Sequence, residues 1–362
     1  MTSLAALLPV RFANWPKAWL AALMLVFVGL TSVSVTLPDS HFATYAKSKE
    51  DYSDVQLYRD IAGRVSRGEN YYHAAAVQQR LHRYPLRPFI TVRPPTLAMI
   101  TVVLGESVYA KIIGLIGLLA AALMGYRVYD QTRSPWLAVL CALPICAATI
   151  VLGFTKLTML HECGAAMLLC LAIIMRTPER YIGAALAALV AVLIRETAIA
   201  VPLMMLVFAA LEKKFREATV WAAVIAAFAF YIGWHAHMVS AVVIPTDLTS
   251  PGWGASLGWS YAVQAVREHS VLALLPPSVA ALILPVALFG WLFWKSPLAL
   301  RGFGAVAGYT LMVALFARDN TPYWAIMATP LLLTGFVAAL PILASLITQL
   351  VQPAVPQRES LA

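Results

Sequence analysis

The chain has 362 residues, 61% of them hydrophobic and 12% charged, with a formal net charge of +9. Its mean hydropathy of +0.78 lies far above that of soluble folds, in which about half of the residues are apolar. That excludes a soluble enzyme. Apolar runs that are continuous rather than alternating exclude a β-barrel, and no basic stretch interleaved with stacking aromatics points to nucleic acid. The class is an all-α, polytopic transmembrane protein forming a single transmembrane domain over residues 1–362. Cys141, Cys146, Cys163 and Cys170 all lie in apolar runs without a CxxC spacing and read as small core residues.

Taken in order, Arg11 and Lys17 precede an apolar run from Ala18 to Leu37. Thr31-Ser32-Val33-Ser34 offers the small residues of a signal-peptide cleavage site. The run is nevertheless about 20 residues long, the length of a span, and is read as a retained first helix. Residues 38–93 form the long polar segment, with nine Lys/Arg, six Asp/Glu and three His. Within it, Asp51 to Arg67 has the period of an amphipathic helix, with Val55, Tyr58, Ile61, Ala62 and Val65 on one face. Gly68-Glu69-Asn70 breaks that pattern, and Tyr71 to Arg83 has the character of a second helix. Tyr84-Pro85-Leu86-Arg87-Pro88 and Arg93-Pro94-Pro95 favour extended chain. Thr96–Leu104 is apolar but too short to span.

Nine further spans follow: Ser107–Tyr126, Pro135–Gly153, His161–Met175, Tyr181–Ile194, Ala198–Leu211, Ala218–Met238, Val271–Trp294, Gly302–Ala317 and Pro322–Leu350. Val239–Ser270 reads as a polar loop and residues 353–362 as a short tail. Arg127, Arg133, Arg176, Arg180, Lys213, Lys214, Arg216, Lys295 and Arg301 fall on one face with Arg11, Lys17 and Arg358. Lys156, Arg195, Arg267 and Arg318 fall in the short loops of the other. The positive-inside rule makes the first face cytoplasmic. The expected topology is ten spans with both termini cytoplasmic and the polar segment outside.

This topology gathers Asp54, Arg93, Lys156, His161, Glu162, Arg195, Glu196, Arg318 and Asp319 at one membrane level. Charges near a bilayer core are costly and face protein or water, where they tend to be functional. Tyr181–Ile194 and Ala198–Leu211 are short, so their junction at Arg195-Glu196-Thr197 is expected below the surface, inside a cavity. Arg195 there suits a phosphate, because a guanidinium fork matches phosphate oxygens; a structural ion pair with Glu196 is the competing reading. Lys156 suits either phosphate contact or snorkelling, and His161-Glu162 either substrate contact or a helix start. Arg318-Asp319-Asn320 opens the last span, and Tyr323 and Trp324 read as interface anchors. No metal-binding spacing is present, and the chain implies no cofactor. Asp54 stands close to the end of the first span and is the candidate general base, while Asp60 is expected to pair with Arg59 or Arg64.

The stretch SDVQLYRDIAGRVSRGENYY, from Ser53 to Tyr72, resembles the first outer loop of polyprenyl-phosphate-dependent GT-C glycosyltransferases. In that loop an Asp-x-x-x-Tyr pattern enters a helix, followed by Gly and then Asn-Tyr. Arg93-Pro94-Pro95-Thr96 and Arg318-Asp319-Asn320 with Tyr323-Trp324 and Pro330 are also similar to members of that family. The chain departs from the pattern in having Arg-Pro-Pro where a tyrosine is common. The resemblance implies a polyprenyl-phosphate sugar donor, inversion at the anomeric carbon, a lipid-linked, glycan or protein acceptor, and Asp54 as general base. It also implies a bacterial inner membrane with the site on the periplasmic face. The donor phosphate would meet Arg195, Arg93, Lys156 and Arg318; Tyr58, Asp60, His161, Glu162 and Glu196 would contact substrate. A lipid or small-solute transporter or flippase is the alternative, since short helices meeting at charges are also a transporter feature. An acyltransferase using His161 is a third reading.

Overall fold

A computed structural model describes residues 8–36, 53–153 and 156–351. Asp51, Arg358 and the tail prolines lie outside them. Among the described residues the chain is helical throughout, with no β-strand beyond two isolated bridges. Fourteen α-helices follow in order: α1 Lys17–Thr36, α2 Asp54–Val65, α3 Tyr71–Leu81, α4 Thr96–Leu104, α5 Glu106–Thr132, α6 Pro135–Gly153 and α7 His161–Met175. Then come α8 Ile182–Ile194, α9 Ala200–Leu211, α10 Phe215–Ser240, α11 Gly258–Glu268, α12 Pro277–Phe293, α13 Pro297–Phe316 and α14 Thr329–Val351. A 3₁₀ turn, Pro322–Ala328, leads into α14.

Among the described residues, six segments are long and apolar enough to cross a bilayer: α1, α5, α6, α10, α13, and α14 with its 3₁₀ entry. The chain is thus an all-helical membrane protein. Four of the other expected spans, α7, α8, α9 and α12, form helices of only 12 to 17 residues. At about 1.5 Å per residue these fall short of a hydrocarbon core of about 30 Å. Thr96–Leu104 is a separate short helix, as its length predicts. Gly105, at φ 84, ends it and starts α5 in a conformation that side chains avoid.

Of these four short helices α7 is the most buried. Fourteen of the fifteen residues of α7 are buried, as expected for a helix apolar on every side. It packs against α5, α8, α13, α14 and the 3₁₀ entry. Small residues bring neighbours close: a methyl added at Gly290 of α12 would lie 1.9 Å from the Gly335 carbonyl oxygen of α14, the small-residue packing typical of membrane helices.

The two ends of the bundle differ. At one end, Arg176 Nε and Nη2 grip Glu217, Arg301 Nη2 donates to Glu212, and Arg127 donates to the Arg176 carbonyl. Arg11 reaches the carbonyls of Leu292, Trp294 and Ser296 at this same end. These arginines all belong to the set that the charge pattern assigns to the cytoplasm.

At the other end, α2 and α3 form a hairpin. Ser53 caps α2 by accepting from the Gln56 N–H at 3.2 Å, and Asn70 caps α3. Gly68 turns between them, and Arg64 pairs with Glu69 at 2.6 Å. The buried face of α2 is Leu57 and Ile61; Tyr58, Ala62 and Val65 flank it. The hairpin is fastened to α10 by His235, whose Nε2 lies 2.9 Å from the Val92 carbonyl and whose Nδ1 lies 3.1 Å from the Tyr72 hydroxyl. Only a carbonyl acceptor on Nε2 is possible, so Nε2 carries the proton and Tyr72 donates to Nδ1. The segment read as a plain loop, 239–270, contains the amphipathic helix α11, packed on α12 and α13.

Candidate functional site

At the hairpin end lies a cavity of about 760 Å³, lined by parts of five chain segments. The hairpin supplies Asp54 and Tyr58; residues 82–93 supply Arg83, Tyr84 and Arg93; the α8–α9 junction supplies Glu196 and Thr197. Residues 248–253 close another side with Ser250 and Trp253, and residues 318–324 contribute Arg318, Asp319, Tyr323 and Trp324.

Asp54 is the first residue of α2, half-buried at the cavity wall, and accepts a hydrogen bond from the Tyr84 hydroxyl at 2.8 Å. Asp60, two turns on, accepts from Gln56 Nε2 at 2.8 Å and is not among the cavity residues. Its expected pairing is corrected: Arg59 bonds Glu106, and Arg64 bonds Glu69. The helical turn carries Asp54 and Tyr58, four residues apart, onto one face, while Asp60 faces elsewhere.

Arg93 is the tie at the cavity floor. It donates to Tyr58 Oη at 3.2 Å, Glu196 Oε1 at 3.0 Å and Tyr323 Oη at 3.4 Å. These bonds join the hairpin, the α8–α9 junction and the last segment. Burial pushes the Tyr58 phenol up to about 12, against the opposing field of Arg93, so Tyr58 is a neutral hydrogen-bonding group at physiological pH. His161 sits behind it, edge-on with ring centroids 4.6 Å apart, and is buried away from the cavity.

Arg195 is also behind the wall. It has no exposed surface, places Nε 2.7 Å from Glu162 Oε1, and bonds Glu196 through Nη1. Two of the four phosphate candidates, Arg93 and Arg195, therefore already share a carboxylate, Glu196. The side chain of Lys156 lies outside the described residues; its backbone opens a 3₁₀ turn before α7.

Arg318 is different. Its Nη1 donates to Ser250 Oγ at 2.7 Å and the Pro251 carbonyl at 3.1 Å, and its guanidinium lies 5.2 Å from the Trp253 ring centre. All its partners are neutral, so a positioned positive charge faces the cavity without a carboxylate on it. Arg83, exposed at the same cavity, likewise forms no ion pair among the described residues.

Sequence reasoning passed over Tyr84, Arg83 and the 248–253 wall, whereas Glu196 and Thr197 line the cavity expected at their junction. A Trp in a segment otherwise read as a polar loop, Trp253, was the available signal for that wall. Tyr323 and Trp324 are corrected from interface anchors to cavity residues; Trp324 is buried, 6.0 Å from the Arg195 guanidinium. No family model, curated protein or solved structure matches the chain.

Proposed function

We propose that the chain is an inverting membrane glycosyltransferase of GT-C type with ten membrane passes. It moves a sugar from a polyprenyl-phosphate donor at the outer face, with Asp54 as general base. The observation that carries the reading is one cavity in which a half-buried carboxylate, Asp54, shares walls with an arginine free of carboxylates, Arg318. The short crossings would be completed by the loops and 3₁₀ turns that extend them.

In the reaction, the acceptor hydroxyl gives its proton to Asp54 as its oxygen bonds the anomeric carbon. The bond from that carbon to the phosphate oxygen breaks, and its electron pair leaves on the polyprenyl phosphate. A placed base contributes about 10²–10⁴ in rate, and a preorganised cation stabilises the developing phosphate charge. Arg318 and Arg83 are the cations suited to that role. Arg93, Glu196, Tyr58 and Tyr323 shape the floor, with Arg195, Glu162 and His161 supporting it from behind.

Transport finds less support. The cavity residues belong to one end of the bundle, and below them α7 is apolar and closed, with Ala166, Leu169, Cys170 and Ile173 around a void of about 10 Å³. An acyltransferase finds none either, because His161 is walled off behind Tyr58.

The test is Asp54→Asn in purified, reconstituted protein offered a panel of synthetic polyprenyl-phosphate sugars. The variant should fold, bind donor and lose at least about a hundredfold in transfer, while Asp60→Asn stays near normal. Transfer by Asp54→Asn at the wild-type rate would remove Asp54 from the mechanism. A wild type that transfers no sugar but moves lipid between leaflets would replace the reading with transport.

A further inference from the structure

Asp54 receives one hydrogen bond to its carboxylate among the described residues, and it comes from a residue thirty positions away. Tyr84 Oη lies 2.8 Å from Asp54 Oδ1, and both residues face the cavity. Neither end of this contact is loose. Asp54 is the first residue of a helix capped by Ser53. Tyr84 follows Arg83, whose φ of 58 turns the chain sharply out of α3, and its N–H bonds the Gln79 carbonyl at 2.7 Å. Gln79, itself buried, donates through Nε2 to the Pro85 carbonyl at 2.9 Å. Just beyond, the Leu86 N–H bonds the Leu248 carbonyl at 3.1 Å. The chain is thus anchored on both sides of the phenol.

We infer that Tyr84 is a positioning residue for Asp54: it engages Oδ1 and so presents Oδ2, in a fixed orientation, as the atom that receives the acceptor's proton. This rests on the reading of Asp54 as the base. A carboxylate has two equivalent oxygens and rotates about its Cβ–Cγ bond with a shallow preference. A charge-assisted bond from a phenol removes that freedom, and a base held in line with the reacting hydroxyl is worth more than the same base free to turn. The bond also supplies a reason for a tyrosine: phenylalanine would fill the same space without orienting anything.

The experiment is a double-mutant cycle on transfer from whichever synthetic polyprenyl-phosphate sugar the reconstituted wild type uses. Tyr84→Phe should lower kcat about tenfold, the worth of a hydrogen bond to a charged group. The KM for donor and the melting temperature should stay as in the wild type. Combined with Asp54→Asn it should cost nothing further, because the group it orients is gone. Wild-type kcat in Tyr84→Phe, or losses that multiply in the double variant, would overturn the inference. Activity surviving in Asp54→Asn would instead overturn the reading beneath it, so the two failures are distinct. Should Tyr84→Phe not fold, 3,5-difluorotyrosine at position 84 keeps the shape but ionises at a lower pH than tyrosine. Transfer should then fail at a lower pH than in the wild type, since a phenolate cannot donate; superimposable pH profiles would count against the role.

Discussion

Arg80 holds Asp247 with two parallel bonds, Nε to Oδ1 at 2.7 Å and Nη2 to Oδ2 at 2.8 Å. The same carboxylate accepts the Ile244 N–H at 2.8 Å, and Arg87 Nη2 donates to the Asp247 carbonyl at 2.5 Å. This clasp ties α3 to the segment after α10, and the next residues of that segment, 248–253, are one wall of the cavity.

Asp247→Asn should therefore loosen the wall as well as the fold. Its side chain is only 2% exposed, so losing the charge costs about 1–3 kcal/mol, seen as a lower melting temperature. The bonds from Arg80 hold the Asp247 carboxyl below its usual range. A carboxyl depressed in the folded state stabilises above its unfolded pKa, about 4, and the contribution vanishes as pH falls through the folded value. The wild-type melting temperature should thus decline below about pH 4 by an amount that the Asn variant lacks. Parallel acid limbs would show that the clasp does not contribute.

Arg195 and Arg318 should separate into structure and binding. Arg195→Ala leaves Glu162 buried without its cation and Glu196 with Arg93 alone, which costs about 3–5 kcal/mol and should collapse the yield of folded protein. Arg318→Gln should fold and lose about tenfold or more in affinity for farnesyl phosphate, read from ligand-induced thermal shifts. Its response to farnesol should be unchanged, and inorganic phosphate serves as the control for the anion alone. A well-folded Arg195→Ala that no longer binds farnesyl phosphate would return Arg195 to the phosphate site.

Cysteine labelling checks which end faces out. Leu81, 68% exposed beside the cavity hairpin, should label from outside once replaced by Cys; its neighbour Gln79 is buried and unsuited. Arg133, with a side chain 72% exposed at the other end, should label only after permeabilisation. Labelling of both from one side would contradict an arrangement with the hairpin end outside and the Arg176–Arg301 end inside.

What hydropathy determined was local: where apolar runs begin and end, that Thr96–Leu104 stops short, and that Arg195-Glu196-Thr197 dips between two short helices. The grouping of Arg127, Arg176 and Arg301 at one end followed from the alternation of loops. Tertiary structure decided which charges are spent and which are free. Glu196 is 103 residues from Arg93 and adjacent to Arg195, and only the fold brings both cations to it. Ser250 lies 68 residues from Arg318, and its hydroxyl positions that cation without neutralising it. Position and the family resemblance single out Asp54 in the sequence; that Asp54 and not Asp60 lines the cavity depended on the rotation of α2, and its partner Tyr84 on a turn thirty residues away. Burial of a run is a sum over neighbours in sequence. The pairs Arg93–Glu196 and Arg195–Glu162 are contacts between residues distant in sequence, and no one-dimensional pattern records them.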